Sequence, residues 1–183
     1  MLDHYYQNIH GWFTFPNLYS SAVKGFDNAV FVEVGSWLGK SSAFMGVEII
    51  NSGKNIRLDC VDIWEMTPDY AQYDLGGKSM MDLFLQNIQP VKSVVRPVKK
   101  TSVAAAADYT DSSVDFIFLD GSHHFQDVRD DLRAWWPKLK KGGFFSGHDY
   151  TNSAEVRSAV DEWLCLNSLA LTLNGEQCWG LTK

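Results

Sequence analysis

The stretch AVFVEVGSWLGKSSAFMGVEII, residues 29–50, decides how the rest of the chain is read. Its first six residues are apolar apart from Glu33 and lack polar alternation, as in a strand covered on both faces. Residues 40–50 follow at helical period. Between them lies a loop with two glycines, Gly35 and Gly39. Its tail, Gly39-Lys40-Ser41, looks like the end of a phosphate-binding loop. That motif needs four residues between its glycines, and here only Ser36, Trp37 and Leu38 intervene. A Trp also stands where such a loop must wrap a phosphate. Asp120 ends an apolar strand, but no Walker-B strand with a nearby catalytic Glu is evident. The phosphate reading is therefore set aside, and Lys40 is expected at the surface.

Outward from this unit the pattern repeats. Apolar runs at 56–64, 92–98 and 113–120 read as strands. Residues 142–150 read as a turn and a fifth strand. Helical stretches at 77–88, 102–109, 124–136 and 153–164 alternate with them. In the third of these, Phe125, Val128, Leu132 and Trp135 share one face. The two closing runs, 168–173 and 178–183, flank Asn174-Gly175, a hairpin signal. The expected fold is α/β: a Rossmann-like, doubly wound sheet of seven strands, mostly parallel, with an antiparallel C-terminal hairpin and helices on both faces. One domain over 1–183 is expected. Residues 1–27, rich in aromatics, form a cap over the sheet edge or the site. In such folds ligands bind beyond the carboxyl ends of the strands, so functional residues are sought there.

Bulk composition narrows the function. The 183 residues carry 16 basic and 22 acidic side chains, a net charge of −6. With no basic block, nucleic acid is not an expected partner. Cys60, Cys165 and Cys178 are odd in number and lack C-x-x-C spacing, which argues against a disulfide framework or a structural zinc. Cys60 reads as a buried small hydrophobe. No secretory signal and no membrane-length apolar run is evident, so a cytoplasmic protein without a membrane partner is expected.

Glu33, Gly35 and Gly39 form E-x-G-x-x-x-G at the end of the first strand. This resembles the first motif of class I S-adenosylmethionine (SAM) dependent methyltransferases. The chemistry agrees. Gly35 permits a sharp turn and close backbone approach. Gly39 opens a helix whose N-terminal amides favour a carboxylate. Glu33 can offset the cationic groups of the cofactor. Ser36 lies in the loop, and Ser41 is placed near the methionyl carboxylate. Asp62, ending the second strand 27 residues after Gly35, can accept ribose hydroxyls; a surface Asp is the alternative. After the third strand the resemblance places Thr101 and Ser102 beside the adenine. Thr101 stands where many members have Asp, and both residues also suit a helix N-cap.

Residues 115–150 add the most specific features: Asp-Gly-Ser-His after the fourth strand, Trp-Trp-Pro-Lys-Leu-Lys-Lys-Gly-Gly before the fifth, and Gly-His-Asp-Tyr after it. These resemble metal-dependent sugar O-methyltransferases that decorate macrolide and aminocoumarin antibiotics, over about residues 10–183. The resemblance implies Asp120 at the cofactor and as a metal ligand, with His148 and Asp149 completing the ligands, and His123 as the catalytic base. His148 replaces a carboxylate of that family, which shifts the preference from Mg²⁺ toward Mn²⁺, Fe²⁺ or Zn²⁺. Bland readings stand beside these. Asp120 can cap a turn, and His148 can be a satisfied core histidine. His124 points to solvent, Asp127, Asp130 and Asp131 form a solvated face with Arg129 and Arg133, and Trp135 and Trp136 are core.

The expected function is O-methylation of a hydroxylated small molecule, such as a sugar, with SAM as cofactor and a divalent metal (Mg or Mn) as a second candidate cofactor. Two alternatives remain open: a metal-dependent hydroxylase resembling cephalosporin hydroxylase-type proteins, and a non-catalytic SAM-binding module. The acceptor walls are expected in residues 4–13 and 65–77, with Tyr70 and Tyr73 as stacking partners and the second segment as a lid. The exposed aromatics would suit a homodimer.

Overall fold

The computed structural model describes residues 1–66, 72–175 and 177–183. Seven strands among them form one sheet: β1 (Asn28–Val34), β2 (Asn55–Asp62), β3 (Val95–Lys99), β4 (Val114–Leu119), β5 (Leu139–Gly147), β6 (Thr172–Asn174) and β7 (Cys178–Thr182). Their spatial order is β3-β2-β1-β4-β5-β7-β6. The first five pair in parallel. β7 runs antiparallel to β5, and β6 to β7. The doubly wound, mostly parallel sheet with an antiparallel closing hairpin is therefore present.

Six helices cover the two faces: α1 (Pro16–Gly25), α2 (Lys40–Ser52), α3 (Met80–Ile88), α4 (Ser102–Ala106), α5 (Phe125–Trp135) and α6 (Ala154–Asn167). Successive strand residues point to opposite faces. Phe31, Leu58, Cys60, Phe116 and Phe118 pack under α1, α2 and α3. Val32, Val34, Val61, Ile117 and Phe145 pack under α4, α5 and α6. Both faces are apolar because both are covered, which explains why the strands read as unbroken apolar runs.

Three details depart from the sequence reading. The N-terminal segment contains α1, opened by Pro16 at its first turn, where a missing N–H costs nothing. β5 begins at Leu139, three residues before the expected turn; Lys140 is held there by Asp115, at 2.8 and 2.9 Å. Asp131 is not on a solvated face: only 8% of it is exposed, beneath α5. The strand order reverses between β1 and β4, so the crevice at their carboxyl ends is where a ligand is expected. The loops after β1, β2, β4 and β5 all open there. No helix among the described residues is long and apolar enough to cross a membrane.

Candidate active site

The loop after β1 is built by backbone crossings. Gly35 has φ +88, and a Cβ there would lie 2.0 Å from the carbonyl oxygen of Asp120. No other residue fits, because Asp120 N–H also donates to Val34 O at 2.8 Å, locking the two strand ends together. Trp37 adopts φ +42, a left-handed conformation costly for a bulky residue. Two bonds hold it: Trp37 N–H donates to Asp62 Oδ2 at 2.8 Å, and Trp64 Nε1–H donates to Trp37 O at 2.7 Å. Gly39, φ +83, is the N-cap of α2, and no side chain caps that helix. Its first-turn amides are thus a ready anion site.

The residues expected at the cofactor take distinct places around this loop. Asp62 accepts Trp37 N–H and, through Oδ1, Trp64 N–H at 2.7 Å. Burial raises its pKa, while these amides pull the other way. It therefore ties the loops after β1 and β2 together, and each oxygen keeps a further lone pair for a ribose hydroxyl. Glu33, expected to offset the cationic groups of the cofactor, has its carboxylate turned away from solvent. It is buried: Tyr19 Oη–H donates to Oε1 at 2.7 Å, Ser42 Oγ–H to Oε2, and Cys60 Sγ–H to Oε2 at 3.6 Å. Its place on the α1/α2 face follows from strand alternation with Phe31. The Ser36 hydroxyl is buried and lacks a hydrogen-bond partner. Ser41 lies in the first turn of α2. Thr101 is the N-cap of α4, but its side chain makes no capping bond. The Ser102 hydroxyl accepts Trp135 Nε1–H at 2.9 Å.

Opposite this loop, the turns after β4 and β5 bring four ionisable side chains together. His123 Nε2 is 2.7 Å from Asp149 Oδ2. His148 Nδ1 is 3.2 Å from the same oxygen and 3.6 Å from Asp120 Oδ1. Asn152 Nδ2–H donates to Asp149 Oδ1 at 2.7 Å. Asp149 sits at φ +60, the kind of backbone strain that persists only where its surroundings over-determine it. The charges are mutually supporting. Burial would lift Asp149, but the bonds from His123, His148 and Asn152 hold it well below the carboxylate range. Burial opposes charge on His148, yet its bonds to Asp120 and Asp149 carry it up to about 10. Asp149 raises His123 against a smaller effect of burial. Asp120 is raised by burial, with His148 opposing.

A cavity of about 20 Å³ opens among these groups, lined by Asp120, His123, His148, Asp149 and Asp131. It has room for one water or one ion. Donor atoms of Asp120, His123 and Asp149 lie within 4.8 Å of one another. That separation suits a divalent cation, and the mixed carboxylate and imidazole donors suit Mn²⁺, Fe²⁺ or Zn²⁺. His123, expected as the base, belongs to this set, while His148, expected as a ligand, has its Nδ1 beside the same two carboxylates. His148 Nε2 instead lies 3.0 Å from Thr14 Oγ1.

Several site residues were not foreseen. Thr14 meets His148 across 134 positions, and no sequence motif signals such a contact. Asn152 could have been suspected from Asp149-x-x-Asn. Lys40, expected at the surface, donates from Nζ to Gly11 O at 2.9 Å and pins the N-terminal segment to α2. Tyr73 packs on Trp37, ring centroids 5.3 Å apart. Tyr70 and the middle of the expected lid lie outside the described residues. His124 is exposed, as expected.

Residues 32–150 match the family model described as a methyltransferase domain. An uncharacterized protein, y4gI, of Sinorhizobium fredii (strain NBRC 101917 / NGR234) is 30% identical over 145 residues, which cover 78% of this chain and 15% of that protein. A probable cobalt-precorrin-6B C(15)-methyltransferase (decarboxylating) of Sulfurisphaera tokodaii is 26% identical over 123 residues, 67% of this chain and 54% of that protein. The chain thus spans about half or less of the length of these curated relatives. Among solved structures, the O-methyltransferase NovP superposes with a TM-score of 0.66 at 18% identity, covering 92% of this chain and 78% of its own. CalS11, a TDP-rhamnose 3'-O-methyltransferase of calicheamicin biosynthesis, gives 0.67 at 14% identity, covering 91% and 77%. Aeropyrum pernix fibrillarin, with natively bound S-adenosyl-L-methionine, gives 0.58 at 15% identity, covering 90% and 73%.

Proposed function

Because the chain belongs to the methyltransferase-domain family, matched over residues 32–150, we propose that it moves a methyl group from SAM to a hydroxyl of a small molecule, with His123 as general base. The observation that carries this reading is the His123–Asp149 pair, 2.7 Å apart, at the strand ends beside the glycine loop. The residues present suit the cofactor. The uncapped first turn of α2 fits a carboxylate, the buried Ser36 hydroxyl has an unused proton, and Asp62 keeps lone pairs for a ribose. When bound, SAM supplies the activated methyl group.

The rest of the chemistry belongs to this chain. An alcohol is a weak nucleophile at neutral pH, and a positioned base contributes roughly 10²- to 10⁴-fold. His123 holds one ring nitrogen on Asp149 and leaves the other to take the acceptor's proton. Asp149 fixes the ring orientation and stabilises the imidazolium that results, as the third member of a base–orienter arrangement does. Asn152 and His148 keep Asp149 from turning away. The family match favours methyl transfer over the hydroxylase reading, and O-methylation agrees with what the names of NovP and CalS11 state of those proteins.

A second reading is supported by the donor cluster. Asp120, His123 and Asp149 would hold a divalent cation, which would polarise the acceptor hydroxyl, and His123 would then be a ligand rather than the base. One set of measurements separates the two. Melting temperature is recorded with S-adenosylhomocysteine, with Mn²⁺ and Mg²⁺, and with EDTA. Stabilisation by S-adenosylhomocysteine is expected by linkage, and its absence would refute the cofactor assignment. With a methyl-accepting alcohol, His123→Ala should lower kcat roughly 10²- to 10⁴-fold and leave S-adenosylhomocysteine binding intact. Insensitivity to EDTA supports the base reading; activity restored by Mn²⁺ after chelation supports the metal.

A further inference from the structure

The segment from His10 to Phe15 lies across the mouth of the site and is attached on both sides of it. On the loop side, Lys40 Nζ donates to Gly11 O, and Trp12 stacks on Trp37, centroids 5.5 Å apart and planes within 18°. On the other side, Thr14 Oγ1 meets His148 Nε2 at 3.0 Å, and the Phe15 ring lies 5.0 Å from the His148 ring. Around the stacked pair, His10 and Tyr73 stand at steep angles to Trp37, at 5.4 and 5.3 Å. Trp12 is nonetheless 67% exposed. A large aromatic ring left exposed on an anchored segment is a candidate contact surface.

From this we propose that Trp12, backed by Trp37, is the stacking platform for the methyl acceptor, and that the acceptor is a hydroxylated ring presenting a flat apolar face. The proposal rests on the methyl-transfer reading of the site. Three observations choose this occupant. The platform is planar and flanked by ring edges, which suits a ring rather than a flexible chain. The adjoining groove, about 400 Å³, is lined by Gln7, Asn8, His10, Trp12 and Lys40, so its polar groups can meet hydroxyls. Trp12 is two residues from Thr14, a chain span of at most about 7 Å. The platform is thus on the same short segment that touches the cluster through Thr14 and His148.

The ring could be a pyranose or an aromatic, and the test separates them. Saturation-transfer NMR on the full chain, without cofactor, uses methyl α-D-glucopyranoside and catechol as ring probes and 1,2-butanediol as an open-chain control. At least one ring probe should bind better than the diol. Trp12→Ala should weaken that binding on the order of ten-fold, and Trp12→Phe should retain most of it. Trp12→Phe, which keeps a ring against Trp37, should also keep the wild-type melting temperature and its response to S-adenosylhomocysteine, so that a loss of ring binding in Trp12→Ala is read against a variant whose fold and cofactor site are intact. Ring probes that bind no better than the diol would overturn the proposal, as would equal binding by Trp12→Ala. If Trp12→Ala instead converts a dimer to a monomer in sedimentation, with ring binding unchanged, Trp12 serves a second copy of the chain and the proposal fails. Failure of S-adenosylhomocysteine to stabilise the wild type is a different outcome: it removes the methyl-transfer reading on which the platform rests.

Discussion

Replacing Asp149 with Asn keeps the shape of the side chain and removes the charge that His123 and His148 share. The size of the effect follows from how exposed each partner is. The His148 side chain is 9% exposed and Asp149 16%, so their bond resembles a buried, charge-assisted hydrogen bond, worth about 1.5–3 kcal/mol. His123 is 58% exposed, which places its pair with Asp149 nearer the surface value of about 0.2–1 kcal/mol. The expected loss is therefore about 2–4 kcal/mol at pH 7, and for a chain of this size each kcal/mol moves Tm by about 2–4 °C. The pH dependence has a definite sign. His148 is raised from 6.5 to about 10, so its part is fully present below pH 6.5 and is lost as the pH rises through 10. Asp149 is lowered, so its part is present above its ordinary pKa of 3.8 and is lost as the pH falls further. Thermal melts of wild type and Asp149→Asn, in EDTA, should differ most near pH 5–7 and converge toward pH 10 and above. Asp120 faces His148 in both proteins, so it leaves the sign of this difference unchanged. Equal melting temperatures at pH 7, or a gap that widens toward pH 10, would refute the reasoning.

Gly35→Ala should cost roughly 3–5 kcal/mol in urea unfolding and abolish S-adenosylhomocysteine binding, because its Cβ would lie 2.0 Å from a backbone carbonyl; a native denaturation midpoint would contradict this. Asp131 is raised to about 6 by burial, with Asp127 and Asp130 adding to the effect against a bond from Ser102. Its carboxyl contributes stability below its ordinary pKa of 3.8 and loses it as the pH rises through 6, by an upper limit of about 3 kcal/mol. Asp131→Asn should thus melt higher than wild type at pH 7 and alike at pH 3.5; a lower Tm at pH 7 would show that the charge is used. Lys40→Met should loosen residues 10–14, read as faster amide exchange there with the core unchanged, and equal exchange would remove the ammonium from the attachment of that segment.

What could be read from the sequence and what could not divide along a physical line. Strands covered on both faces announce themselves as apolar runs, and the glycine pair after β1 announces a backbone that must turn and cross; both depend on residues close in sequence. α1 gave a weaker signal, because its cap position is Phe15 rather than Ser, Thr, Asp or Asn, and its aromatic neighbours obscure the period. The start of β5 was hidden because Gly142-Gly143 read as a turn that opens the strand, although Lys140 before it already has a partner in Asp115 on the adjacent strand. Asp131 looked solvated among like charges. Nothing local shows that the helix turns it inward while Asp127 bonds Ser122 at the surface.

The same line runs through the site. Asp120, His123, His148 and Asp149 could be nominated because each follows a strand, and the fold brings every strand end to one edge. Their division of labour could not be read, since it depends on distances. His123 and His148 are both imidazoles beside Asp149, yet one is 58% exposed with a nitrogen to spare. The other is 9% exposed, and both its nitrogens have neighbours: Thr14 on one side and the carboxylates on the other. The two imidazoles therefore differ in exposure and in how firmly each is held. Glu33 makes the converse point. Its position in the motif is legible, but strand alternation sends its carboxylate down to Tyr19, Ser42 and Cys60. There it joins α1 to the start of α2, so the segment that carries Trp12 and Thr14 is tied through α1 to the same loop that would hold the cofactor. Cap and cofactor loop are thus one connected structure, and a change in either should be felt in the other.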